Sequence, residues 1–81
     1  MDIMRVKGEL VCTRRLPGLG SVSLRVLQSQ SGALSVATDP VGAPIGKWVF
    51  TTSGSAARLA MNTSDVFTDL TICGLIDQWD Q

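Results

Sequence analysis

The chain has 81 residues, enough for one domain, and its seven basic and seven acidic side chains cancel, which removes the electrostatic pull that nucleic acid or an anionic membrane would exert. With no histidine, and with Cys12 and Cys73 far apart in the chain, neither a metal site nor a histidine-based acid–base centre can be assembled. A domain this small has a marginal core, so oligomerisation is the expected support where a disulfide or metal is not.

Two Trp, two Phe and no Tyr are a thin supply for a base-stacking surface. No apolar run approaches the roughly 20 residues that span a bilayer. No charged segment followed by an apolar one opens the chain, so secretion is not expected. Cys12 and Cys73 are accordingly read as reduced, buried small hydrophobes.

Alternation of period two, the strand signal, dominates. The first run puts Met4, Val6, Leu10 and Cys12 on one face and Arg5, Lys7, Glu9 and Thr13 on the other. Gly8 interrupts the apolar face and predicts a bulge or sharp bend. Pro17-Gly18-Leu19-Gly20 then breaks the strand. The second run places Val22, Leu24 and Val26 on one face, opposite Ser23 and Arg25, and the polar stretch from Gln28 to Gly32 suits a hairpin turn. The third run, Ala33 to Thr38, is expected to turn Leu34 and Val36 inward. Residues 39–46 hold two prolines and two glycines and read as a loop.

In the fourth run, Lys47 to Thr52, Trp48 and Phe50 alternate with Val49 and Thr51. A short helix is expected over 56–61, with Ser55 as N-cap and Asn62 as stop. Such a helix needs packing to be stable. Residues 62–68 read as a polar loop. In the last run, Leu70 to Trp79, Leu70, Ile72, Gly74 and Ile76 alternate with Thr71, Cys73, Leu75 and Asp77. The order β-β-β-β-α-β fits no βαβ pattern. It makes residues 1–81 a single all-β domain whose hairpins close into a small five-stranded barrel with one short helix.

Catalytic motifs are missing. Gly18-Leu19-Gly20 has no helix after it, and Gly42 to Lys47 is one residue short of a P-loop, with Trp48 where Ser or Thr would hold magnesium. Ser53 and Ser55 have no histidine to act as base. Asp69 and Asp77 flank one strand, ~27 Å apart at about 3.3 Å per residue, too far to cooperate. Asp39 before Pro40 reads as a turn acceptor. Arg14-Arg15 reads as a solvated strand end.

Three stretches carry a family resemblance. Asp39, Gly42, Gly46, Val49, Gly54, Ser55, Ala57 and Arg58 form one block, centred on Ser53-Gly54-Ser55-Ala56-Ala57-Arg58. Asp69, Ile72, Gly74, Ile76 and Asp77 form a second, and Met4-Arg5-Val6 through Leu10-Val11 to Thr13 a third. Over nearly its full length the chain resembles the pentameric vertex proteins of bacterial microcompartment shells. Its ending, Gly74-Leu75-Ile76-Asp77-Gln78-Trp79, is similar to that of carboxysome members, above all the α-type branch. Pro44, inserted into the central loop where many members carry a Gly-Ala-Gly cluster, is a departure.

The resemblance implies an OB-like barrel that forms a homopentamer with a narrow axial pore. It implies hexameric shell proteins as partners and a place in a carboxysome shell in the cytoplasm, around the enzymes of carbon dioxide fixation. It implies no enzyme activity and no cofactor. It puts Ser53, Gly54 and Ser55 at the pore; their hydroxyls and the following helix N-terminus make that lining polar, uncharged and favourable to small anions, the alternative being a closed plug in which the loop seals the vertex. It puts Arg58, Asp39 and Asp77 at the subunit interface. The number five comes from the resemblance alone. The competing reading is an OB-type module binding single-stranded nucleic acid or oligosaccharide, which zero net charge and sparse aromatics disfavour.

Overall fold

A computed structural model describes residues 1–12, 14–16, 19, 22–61, 66 and 68–79. The elements are β1 (Asp2–Glu9), β2 (Leu24–Ser29), β3 (Leu34–Thr38), β4 (Trp48–Ser53), α1 (Ser55–Leu59) and β5 (Leu70–Leu75). The strands close into a barrel in the order β1-β2-β3-β5-β4. All neighbours are antiparallel except β3 and β5, which run parallel and meet, among the described residues, at the pair Thr38↔Thr71. A parallel neighbour needs a crossover, and the segment carrying β4 and α1 supplies it. The expected all-β barrel with one helix is what the chain forms.

The period-two pattern holds in both β1 and β4, and the structure decides which side of β4 faces in. Met4 and Val6 are buried from β1, and Val49 and Thr51 from β4, with Met4 opposite Val49 across the pair. The ladder between β1 and β2 shifts register between Val6 and Gly8, the bulge expected at Gly8. Leu10 is half-buried and Cys12 exposed, because β1 ends at Glu9 and its alternation no longer constrains them. Cys12 is therefore not the buried small hydrophobe that composition suggests. Cys73 is half-buried, and both thiols are free.

The β2–β3 hairpin departs from expectation. Leu34 is 65% exposed and Val36 46%, whereas Ala37 is buried at 1%. In β2 the buried residues are Leu24 and Leu27, and Val26 is only half-buried. A one-residue change of facing exchanges the two sides of a strand. Here the inward side of β3 carries the small Ser35 and Ala37, and Arg25 stands opposite Ala37. Arg25 can turn inward because it has a buried partner, Asp39, described below.

The core is Met4, Val6, Leu27, Ala37, Ala43, Val49 and Ile72, with Leu70 packed against it. Burying each Leu, Ile, Val or Met side chain contributes about 1.5–3 kcal/mol. Three buried threonines complete it: Thr38, Thr51 and Thr71. Thr71 Oγ1 donates to the Ala57 carbonyl (2.8 Å) and sits 2.8 Å from Thr38 Oγ1, which is 3.0 Å from Thr68 Oγ1. Each hydroxyl has one proton; Thr71 gives its own to Ala57, so Thr38 donates to Thr71, while Thr68 Oγ1 donates to the Leu70 carbonyl at 2.9 Å. These bonds tie α1 to the seam between β3 and β5. Most of the expected stretches 17–20 and 62–68, including Asn62, lie outside the described residues.

Candidate functional site

Ser53 closes β4 and is still paired with Leu70, so the turn into α1 falls on Gly54. Its φ of 69° and ψ of −149° lie in a region essentially reserved for glycine. The Gly54 N–H donates to the Asp69 carbonyl at 2.8 Å. Gly54, not Ser55, is the N-cap, without a side-chain cap bond, and Ser55 is the first helical residue. The cap assignment fails because the sharp turn at Gly54, directly after the strand, starts the helix one residue early and takes Ser55 into it.

Ser53, Gly54 and Ser55 are all exposed, and neither serine hydroxyl takes a partner among the described residues. Gly54, Ser55, Arg58, Thr68 and Asp69 line a shallow recess of about 280 Å³. Arg58 projects from the exposed side of α1, whose buried residue is Ala57. At five residues, α1 has little macrodipole to offer an anion.

Asp39 stands apart from these. Its side chain has no exposed area and pairs with Arg25 Nε at 3.3 Å. Oδ1 accepts the N–H groups of Val41 (3.0 Å) and Gly42 (2.8 Å), and Oδ2 accepts that of Ala43 (2.8 Å). Arg25 Nε also donates to the Ala43 carbonyl at 3.3 Å. Its Nη1, 3.5 Å from Glu9 Oε1, is buried without a hydrogen-bond partner. Asp39 is thus the turn acceptor that its place before Pro40 suggests, with its carboxylate covered within the chain. Its side chain shapes loop 39–46, and the interface role that the resemblance implies for Asp39 would fall to that loop.

Asp77 lies at the other end of β4 from Ser53. Its side chain is 93% exposed and pairs with Lys47 Nζ at 3.2 Å. Beside it is a cluster that sequence reasoning did not assemble. Trp79 packs edge-on against Trp48, with centroids 5.4 Å apart and planes at 68°, and the Arg5 guanidinium lies 5.8 Å from the Trp48 ring centre. Arg5 Nε donates to the Gly46 carbonyl at 3.2 Å, and the Ile76 N–H to that of Trp48 at 2.9 Å. The Trp48 to Trp79 separation along the chain gives no local signal for this contact. The six residues singled out from the sequence therefore fall in three places. Among the described residues no His, Cys, Asp or Glu group of three or more could hold a metal, and no helix is long and apolar enough to cross a membrane.

The strand order and the parallel β3–β5 seam define an OB-type barrel, whose described residues show polar turns and exposed apolar strand faces. Residues 1–77 match the family described as ethanolamine utilisation protein EutN/carboxysome, and the chain belongs to that family. It is 54% identical over 79 residues to the carboxysome shell vertex protein CsoS4B of Halothiobacillus neapolitanus, covering 98% of both chains. The solved structure of CsoS4B from that organism superposes with a TM-score of 0.91, covering 96% of this chain and all of the other. The GrpN pentameric microcompartment shell protein from Rhodospirillum rubrum is 28% identical, with a TM-score of 0.87 over 100% of this chain and 99% of that one.

Proposed function

We propose that this protein is a structural component of a carboxysome shell: five copies form a ring that caps a vertex. The observation that carries this reading is end-to-end identity of 54% with a carboxysome shell vertex protein. The pentameric state of a more distant relative of the same fold supports the ring. A flat layer of hexagonal tiles closes only where pentagons are inserted, so function here is shape and self-association rather than catalysis. The relatives are shell parts and not enzymes. The protein acts in the shell, within the cytoplasm, where a missing vertex leaves the compartment leaky.

Ser53, Gly54 and Ser55 are the proposed axial residues. All three are exposed, and Gly54 brings no side chain to a place where five backbones converge. Arg58, on the same turn, is the proposed intersubunit anchor, its planar fork suited to carboxylate or carbonyl partners. Asp77, exposed beside Lys47, is proposed for the subunit interface, and hexameric shell proteins are the proposed neighbours of the ring. Native mass spectrometry tests the assembly. A species of five times the 8.6 kDa chain is expected, with Arg58→Glu lowering its yield more than Arg14→Glu. A monomer at all micromolar concentrations overturns the reading, and equal yields of the two variants overturn the placement of Arg58.

A further inference from the structure

A closed ring of identical subunits is built head to tail, so each subunit needs two unlike surfaces that fit each other. The barrel exposes two apolar strand faces, on opposed flanks. The first is the outer side of the β2–β3 hairpin. Leu34 is 65% exposed and Val36 46%, and Val36 stands opposite the half-buried Val26. The second is the outer side of β4 with its neighbours β1 and β5. Phe50 is 36% exposed and Leu75 39%, and Phe50 stands opposite Ile3 on one side and Gly74 on the other. In the barrel order β4 is separated from β2 by β1 and from β3 by β5, so the two faces look away from each other.

Their shapes differ in the way a head-to-tail contact requires. Leu34 and Val36 project from a narrow hairpin. Ile3, Phe50, Leu75, Ile76 and Trp79 contribute to a recess of about 520 Å³. Gly74 makes that surface flat: a Cβ there would lie 2.5 Å from the Phe50 ring, so only glycine lets the ring lie down on β5. The outward apolar side chains of β2 and β3 are also the ones that invert the expected facing of that hairpin, and core packing gives no reason for them. Val11, Leu16 and Leu59 are exposed as well, but singly and outside the strands, which calls for no explanation.

We infer that the ring contact seats the Leu34–Val36 face of one copy in the Phe50–Leu75 recess of the next. This rests on the pentameric reading above and names the surfaces that build it. A charge at the centre of either face would be desolvated without a partner. Leu34→Glu and Leu75→Glu should therefore each lower the pentamer fraction in native mass spectrometry by at least about tenfold, while far-UV circular dichroism stays that of the unmodified barrel. Should either variant fail to fold, Leu34→Ser and Leu75→Ser replace them.

A second measurement gives orientation. In a background with Cys12→Ser and Cys73→Ser, the double variant L34C/L75C treated with a bismaleimide should give a covalent ladder up to the pentamer. L34C alone and L75C alone should give none. Pentamers of either charged or serine variant at the unmodified yield overturn the inference and leave the vertex reading standing. Covalent dimers of either single cysteine variant show a surface pairing with itself and overturn it too. An unmodified chain that is monomeric overturns the vertex reading itself.

Discussion

At the Asp39 loop, a carboxylate with no exposed area takes three backbone N–H groups and a guanidinium, all from its own chain. At the Ser53–Ser55 turn, two hydroxyls face outward with no partner among the described residues, and the only sharp feature is a backbone conformation that needs glycine. Both are polar turns leaving a strand, and their sequences look equally suited to hydrogen bonding. The difference separates residues that the fold of the subunit requires from residues on which it makes no demand. A buried charge left unpaired is expensive, so Asp39 and Arg25 are held by stability alone. An exposed serine is nearly free, so stability gives no account of Ser53 and Ser55.

Substitutions sharpen that contrast. The largest effect is expected from Asp39→Ala, which strands Arg25 and frees three loop N–H groups. A loss of about 3–5 kcal/mol is expected, read by urea unfolding, and a loss below about 1 kcal/mol would break the contrast. Gly54→Ala comes next, at about 1–3 kcal/mol, because alanine is strained at that φ and ψ. Equal thermal midpoints of variant and parent would refute it. Thr71→Val removes the donor to the Ala57 carbonyl with little change in shape and leaves a buried acceptor unsatisfied, for about 1–3 kcal/mol. Its check is the melting curve together with loss of amide protection in α1. Ser53→Ala and Ser55→Ala should each stay within about 0.5 kcal/mol of the parent. A larger shift would show that these hydroxyls hold the subunit together after all.

Part of the fold was legible because the alternation of β1 and β4 is regular, although only in β1 does it also say which side faces in. Their apolar or small side chains alternate toward one core, and Gly8 marks the bulge that lets β1 bend. The β2–β3 hairpin was misread by the same rule. Its larger apolar residues Leu34 and Val36 face out and its small ones face in, and a pattern that equates apolar with interior inverts such a strand. The start of α1 was off by one residue because the glycine-only turn at Gly54 lets the helix begin at Ser55, ahead of the residue that best suits a cap. The site was less legible than the fold. Asp39 could be read as a turn acceptor from its neighbour Pro40, but its partner Arg25 is brought to it only by β2–β3 pairing. The Trp48–Trp79 contact needs β4 and the chain end side by side. The resemblance selected Ser53 to Arg58 as one group, and the structure keeps that group together while sending Asp39 inward and Asp77 to the far end of β4.

The threonine hydroxyls between β3, β5 and α1 have a further consequence for motion. A parallel seam with one register pair among the described residues is their least cross-linked line in the barrel, and low-energy opening follows such lines. Thr38, Thr71 and Ala57 lie along it, joined by bonds of 2.8 Å. Slow amide exchange in β1 and β4, and faster exchange that spreads together through β3, the start of β5 and α1, is the expected signature. The barrel would then breathe along one line, and each breath would carry the Gly54 turn with it.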